Sequence, residues 1–211
     1  MKKIKSIISI AFIAAALFTG CKQSSGGDQS SSISTMENLK DVIKAGEDLS
    51  GTWDISEMYL KMYSKEDGYV TENFESNDLD EIVKYTSENS KDKKDKYSDE
   101  PDDVDISVPQ EEMKFDTKEE AAEYFMNNIT ESETAQKTEK QQWDQSIIMI
   151  QAWGGTVSQS NYSNNLYIKI NEDRTQIIYQ KSLSAVLKGS FWGENFDDEV
   201  QITVKYVLTR Q

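Results

Sequence analysis

Side chains that commonly perform catalysis are scarce in this chain of 211 residues. It contains no histidine, the commonest general base and metal ligand, and only one cysteine, Cys21. It has no glycine-rich phosphate loop and no nucleophile elbow. Acidic residues are plentiful but lie mainly in polar runs typical of a solvated face, so a glycosidase-type pair of carboxylates is the one catalytic arrangement left open. We therefore predict no enzyme, no metal site and no cofactor.

The segment before Cys21 has the features of an export signal. Lysines at positions 2, 3 and 5 precede an apolar run over residues 7–18, and Thr19 and Gly20 lead to the cysteine. The run is shorter than the ~20 residues that a membrane-spanning helix needs. The segment resembles a bacterial lipoprotein signal, which implies a signal peptide over residues 1–20 and a lipidated Cys21 that anchors the exported protein in the cell envelope. A buried or reactive thiol is the alternative role for Cys21.

The mature chain is strongly acidic. Removal of residues 1–20 takes away three lysines and no acid, so the formal net charge changes from −15 to −18. A surface of this sign repels the phosphates of nucleic acids, so we predict no nucleic-acid partner. Residues 21–33 are rich in serine, glutamine and glycine, which predicts a flexible tether to a single domain over residues 34–211.

Two helices and a charged insertion are predicted within this domain. Ser34 and Glu37 form a capping-box pattern ahead of a short helix that ends near Gly46. Residues 87–115 are dense in charge and contain both prolines, which indicates a solvated insertion. A second capping-box pattern, of Thr117 with Glu120, opens a helix over residues 116–130, whose apolar stripe faces the core.

Most of the remaining sequence predicts β-strands. A first strand starts at Gly51, residues 161–165 are predicted to form a hairpin tip, and residues 171–173 are predicted to form a turn. Further strands are predicted over residues 69–74, 79–85, 104–108, 147–152, 166–170, 176–180, 183–187 and 200–208. Eight or nine antiparallel strands joined mostly by short turns predict a mainly β fold, either an up-and-down barrel or, as the alternative, a β-sandwich.

The two ends of this strand series carry a recognisable pair of motifs. Gly51-Thr52-Trp53 opens the first strand, and Arg210 is in phase with the apolar residues of the last. This arrangement, with a short helix before it, resembles the lipocalin-like (calycin) families. The resemblance implies a barrel closed at one end by Trp53, with Arg210 across the indole and Gly51 leaving room for the ring, a cation–π contact worth ~0.5–2 kcal/mol.

The resemblance also implies a function. The mouth of such a barrel would take a small apolar or amphipathic ligand, and five aromatic residues are candidates to contact it. They are Trp143, Trp153, Tyr167, Tyr179 and Trp192. Two alternatives from other classes stay open: a surface lipoprotein that binds a partner protein, and a structural envelope protein with no ligand. The sequence specifies neither a ligand nor an oligomeric state.

Overall fold

The computed structural model describes residues 36–65, 72–78, 80–82, 84–85 and 113–211. The predicted signal peptide, the tether, and most of the charged insertion lie outside these ranges. The described strands are β1 (Glu37–Asn38), β2 (Gly51–Lys65), β3 (Glu72–Ser76), β4 (Met113–Phe115), β5 (Thr156–Ile170), β6 (Gln176–Phe191) and β7 (Glu194–Arg210). The helices are α1 (Leu39–Lys44) and α2 (Lys118–Ala152), and residues 80–82 and 84–85 are also helical.

These strands form one antiparallel sheet of seven strands. Four long strands make its centre in the order β5-β6-β7-β2, with β1 beside β5, and with both β3 and β4 beside β2. The prediction of a mainly β, antiparallel fold is confirmed. Over the described strands, however, the sheet does not close into a barrel, and an open sheet or a β-sandwich accounts for them equally well.

One face of the sheet is covered by α2, which runs along the long strands. A helix of 35 residues is about 50 Å long, which matches the length of a 16-residue strand. Because side chains alternate along a strand, β6 turns its buried residues Ile177, Leu183 and Leu187 toward α2. The opposite face is mostly polar, apart from a small patch where Met36 covers Ile178 and Val207.

The core between α2 and the sheet has two large parts. At the first, which we call the Trp53 end, α1 and the first turns of α2 pack on the start of β2 and the turn between β5 and β6. At the second, the Trp192 end, the last turns of α2 pack beside the β6–β7 hairpin. The two ends therefore lie about 50 Å apart along the sheet.

Both helices differ from their predicted bounds. α1 begins at Leu39, because the side chain of Asn38 caps it by accepting from the Lys40 amide at 3.0 Å. Glu37 was predicted to be the acid of a capping box with Ser34, but it pairs with β5 instead, and Ser34 lies outside the described residues. α2 opens with the predicted capping box of Thr117 and Glu120, which is confirmed. It does not end near residue 130 but continues to Ala152.

Several predicted strands were wrong. Residues 147–152 are the last turns of α2, because Trp143, Ile147 and Ile150 recur at helical spacing and pack on the sheet. The described residues within 79–85 are helical, and Ile82 packs on Leu60.

The strands of the C-terminal half are longer than predicted. Residues 161–165 lie in the middle of β5 rather than at a hairpin tip, paired along their length with β6. Segments 176–180 and 183–187 belong to the single strand β6. The turn predicted at residues 171–173 is confirmed, since the Asn171 carboxamide oxygen accepts from the amides of Thr175 and Gln176.

Candidate functional site

Trp53 and Arg210 are in contact at the Trp53 end. They are direct partners in the pairing of β2 with β7, so their side chains share the helix-covered face. The Arg210 Cζ atom lies 5.9 Å from the Trp53 ring centroid. Trp53 is fully buried, and its Nε1 donates to the Leu49 carbonyl oxygen at 2.9 Å. Arg210 Nη1 donates to the carbonyl oxygen of Asp48 at 3.2 Å.

The glycine of the motif makes room for the guanidinium. Gly51 has φ +114°, a conformation that other residues rarely adopt, and a Cβ atom there would lie 3.1 Å from Arg210 Nε. Phe125 of α2 covers the other side of Trp53 in an edge-to-face arrangement, with ring centroids 5.6 Å apart. Helix, strand and loop thus enclose the indole on all sides, and this end of the molecule stabilises the fold.

The five predicted ligand-contacting aromatics are not brought together into one site. Trp143 is buried against Tyr162 in the core, with ring centroids 5.4 Å apart. Tyr179 is buried near the Trp53 end, stacked on Tyr206 at 4.8 Å. Tyr167 is exposed on the outer face of β5. In the described part of the chain, α2 packs on the face of the sheet where Trp143 and Tyr179 lie.

Only Trp153 and Trp192 meet in one region. Both pack on Phe191, with ring centroids 6.3 and 4.8 Å away. Trp153 is 61% exposed and Trp192 is 77% exposed, and Met149 is exposed one helical turn before Trp153. We call Met149, Trp153, Phe191 and Trp192 the aromatic surface. Two exposed tryptophans beside one another mark a contact surface more often than a core fragment.

The backbone at Trp192 is unusual. Trp192 has φ +52° and Gly193 has φ +83° at the tip of the β6–β7 hairpin. Turns with two positive φ values favour Asn-Gly, and a bulky residue there costs roughly 1–2 kcal/mol. A tryptophan that is both conformationally costly and largely exposed contributes little to folding, which points to a role in binding.

A buried polar cluster separates the two ends. Glu139 of α2 is only 3% exposed; its carboxylate forms an ion pair with Lys181 of β6 and accepts from Asn164 Nδ2 of β5. Gln136 Nε2 donates to the backbone carbonyl oxygen of Asn164 at 2.6 Å. Asn164 Nδ2 also donates to the Tyr162 hydroxyl oxygen at 3.1 Å. We call Gln136, Glu139, Tyr162, Asn164 and Lys181 the buried polar cluster; Glu139 at its centre is buried, and the other four side chains are half-buried.

The buried polar cluster also contains a tyrosine, Tyr162, whose pKa is shifted by its surroundings. Burial raises the pKa of Tyr162 to about 12; the hydrogen bond from Asn164 opposes this rise, and the charges of Glu139 and Asp144 add to it.

Two residues of these sites, Glu139 and Phe191, were not predicted from the sequence. One face of α2 carries Gln136, Glu139 and Trp143 at helical spacing. A prediction of the helix to its full length would therefore have placed Glu139 on the side that faces the sheet.

Comparison with known proteins returned no match to any family model, curated protein or solved structure. Among the described residues, no group of three or more acidic, cysteine or histidine side chains could hold a metal ion. No helix in the described ranges is long and apolar enough to cross a membrane. Cys21 lies outside those ranges.

Proposed function

We propose that this chain is an exported, lipid-anchored envelope protein that binds a partner protein through the aromatic surface. The observation that carries the proposal is Trp192, which is 77% exposed at a hairpin tip in a conformation that tryptophan rarely adopts. Tryptophan is the residue type most often found to dominate binding energy at protein interfaces, where its ring fills a pocket on the partner. Trp153 and Met149 extend the apolar area beside it.

The position of the aromatic surface favours a protein partner over the anchoring membrane. The described chain enters at Met36, which packs on Ile178 near the start of β6, whereas Trp192 follows the end of that strand. The two points are separated by roughly the length of the strand, about 45–50 Å. If Cys21 holds the N-terminal side at the membrane, the aromatic surface is at the far end of the sheet from the anchored side and is free to meet a protein partner. Because the mature chain is acidic, a partner pocket with a basic rim fits best.

The relationship to lipocalin-like proteins is a second part of the proposal. It is supported by the contact of Arg210 with Trp53 and by the room that Gly51 leaves for it. A closed barrel would additionally require chain outside the described ranges to bridge β1 and β3. An experimental structure of the mature protein tests this part, and two free sheet edges there would refute the barrel.

The binding proposal can be tested by photo-crosslinking in intact cells. A crosslinking amino acid replaces Met149 within the aromatic surface, and a matched control replaces Asn127, which is exposed on α2 near the Trp53 end. We expect a discrete adduct from position 149 that is lost when Trp192→Asn is added, and none from position 127. An adduct from position 127 alone would move the interface to the first half of α2, and the proposal would be wrong.

The small-ligand hypothesis makes a different prediction for the purified protein. A fluorescent fatty acid should then bind with a stoichiometry near one, and Trp153→Ala should abolish binding. We expect no saturable binding, because Trp143 and Tyr179 are buried against protein side chains. Saturable binding would restore the ligand hypothesis as the leading one.

Anchoring is tested separately. Cys21→Ser should move the protein from the membrane fraction to the soluble fraction or leave the precursor uncleaved, because acyl chains contribute ~0.8 kcal/mol for each buried methylene. An unmodified N-terminus at another residue, identified by mass spectrometry, would contradict the anchor.

A further inference from the structure

We propose that Lys181 and Asn164 become joined by an amide bond between their side chains, formed autocatalytically with Glu139 as the proton carrier. The bond would tie β5 to β6 covalently beneath α2. It is independent of the proposed binding function, because the three side chains lie in the buried polar cluster and not in the aromatic surface.

Glu139 holds the two reacting groups side by side. One carboxylate oxygen, Oε1, contacts Lys181 Nζ, and the other, Oε2, accepts from Asn164 Nδ2. Two nitrogens held on one carboxylate are close neighbours. Proximity of this kind, in a fixed orientation, is a large part of the advantage of an intramolecular reaction.

The strand register brings the same two side chains together independently of Glu139. Lys181 lies opposite Leu166 in the pairing of β5 with β6, and Asn164 is two residues from Leu166 on the same face. Lys181 and Asn164 are therefore diagonal cross-strand neighbours, with Cβ atoms about 7 Å apart or less. The four-carbon stem of a lysine covers that distance to the side-chain carbonyl carbon of an asparagine.

The surroundings of Lys181 and Asn164 favour formation of an amide bond over a lasting ion pair between Lys181 and Glu139. Apolar clusters lie on either side along the sheet, and Glu139 is 3% exposed. A buried ion pair gains little net stability once its desolvation is included. The side-chain oxygen of Asn164 is buried without a hydrogen-bond partner among the described residues, an uncommon state that calls for an explanation.

The reaction balances without any added reagent. Glu139 takes a proton from the Lys181 ammonium group, and the neutral amine attacks Cγ of Asn164. After a half-turn of the carboxamide, its oxygen accepts from the protonated Glu139 and from the Tyr162 hydroxyl, and both bonds stabilise the developing negative charge. The Cγ–Nδ2 bond then breaks, and the nitrogen leaves with protons passed on by Glu139. In total, one ammonium group and one carboxamide become one secondary amide and one ammonium ion.

Peptide mass spectrometry of the purified full chain tests this directly. Trypsin does not cleave after a lysine whose amine is acylated, so the bond predicts one branched peptide that joins residues 141–169 to residues 175–188. Its mass is the sum of those two peptides less one ammonia. Separate peptides with cleavage after Lys181 would overturn the proposal. Loss of ammonia from 141–169 alone would also overturn it, since a backbone succinimide at asparagine gives that result.

Three variants distinguish the proposed amide bond from a purely structural role of the buried polar cluster. Glu139→Gln keeps the size and hydrogen bonding of the side chain but cannot carry the proton, and Lys181→Arg keeps the charge but removes the amine. We expect the branched peptide to disappear completely in both. Asn165→Ser alters the neighbouring asparagine on the opposite face of β5 and should leave it unchanged. Persistence of the branch in Lys181→Arg would show that another amine forms it.

Discussion

The two ends of the long sheet use tryptophan in opposite ways. At one end, Trp53 is fully buried, its Nε1 donates to a carbonyl oxygen, and Phe125 and Arg210 cover its faces. At the other end, Trp192 is mostly exposed and occupies a turn position with positive φ. The first arrangement lowers the free energy of the folded state. The second combines a costly backbone conformation with little burial, and this is the observation on which the proposed partner contact rests.

This difference shows that composition alone does not assign a role to an aromatic residue. Both tryptophans lie within two residues of a glycine and near the end of a long strand. What separates them is whether a helix passes over the end of the strand. The first turns of α2 cover Trp53, whereas α2 ends at Ala152 and leaves Trp153 and Trp192 uncovered.

The largest expected effect is that of Trp53→Ala. The site is enclosed by α1, α2 and β7 and cannot collapse, so we expect a loss of about 3–5 kcal/mol in the free energy of unfolding. Urea denaturation of the purified protein measures it. A loss below about 1 kcal/mol would mean that the Trp53 end does not stabilise the fold, and the contrast between the two ends would fail.

Arg210→Ala should have a smaller effect. It removes the guanidinium from the Trp53 ring and the hydrogen bond to Asp48, together worth about 0.5–2 kcal/mol. Because the two side chains are in contact, the double variant with Trp53→Ala should be less destabilised than the sum of the single variants, by about 0.5–2 kcal/mol. Strict additivity in this cycle would show that the observed contact carries no energy.

Alkaline pH should weaken the interior while leaving the aromatic surface unaffected. The pKa of Tyr162 is raised to about 12 from 10.0, so burial of its neutral phenol contributes stability that is fully present below about pH 10. That contribution is lost as the pH rises through about 12. Unfolding measured across this range should show a shallower fall for Tyr162→Phe. Part of the fall should remain, because burial also raises the pKa values of Tyr179 and Tyr206. Identical profiles would contradict the assignment.

The smallest expected effect on stability is that of Trp192→Asn. Asparagine accepts a positive φ more readily than tryptophan, which offsets the lost packing on Phe191. We expect the free energy of unfolding to change by less than about 1 kcal/mol in either direction. Thermal melting compared with that of Trp53→Ala provides the check. Comparable destabilisation by both substitutions would assign Trp192 to the fold.

The sequence predicted the parts of the fold that local patterns determine. The clean alternation in β7, the capping box of α2 and the turn after Asn171 each depend on residues close together in the chain. The contact of Trp53 with Arg210 was also anticipated, because both residues lie at strand ends with a defined facing side.

The remaining predictions failed where tertiary packing, and not the local sequence pattern, determines the secondary structure or the exposure of a residue. Residues 147–152 are apolar and β-branched enough to suit a strand, yet they continue α2 because their helical spacing matches the sheet below. The residues before them are polar and therefore did not predict a helix that packs on the sheet. Glu139 lies on the core side because its partners, Lys181 and Asn164, are on β6 and β5. Exposure of Trp192 could not be predicted either, because it depends on where α2 ends.

The contrast between the two ends is tested most directly by the accessibility of the four tryptophans, measured together. Fluorine NMR of the protein labelled with 5-fluorotryptophan gives one resonance for each, assigned by single Trp→Phe variants. With a soluble paramagnetic agent, we expect strong broadening for Trp153 and Trp192 and little for Trp53 and Trp143. Broadening of the Trp53 resonance, or protection of the Trp192 resonance in the isolated protein, would contradict it.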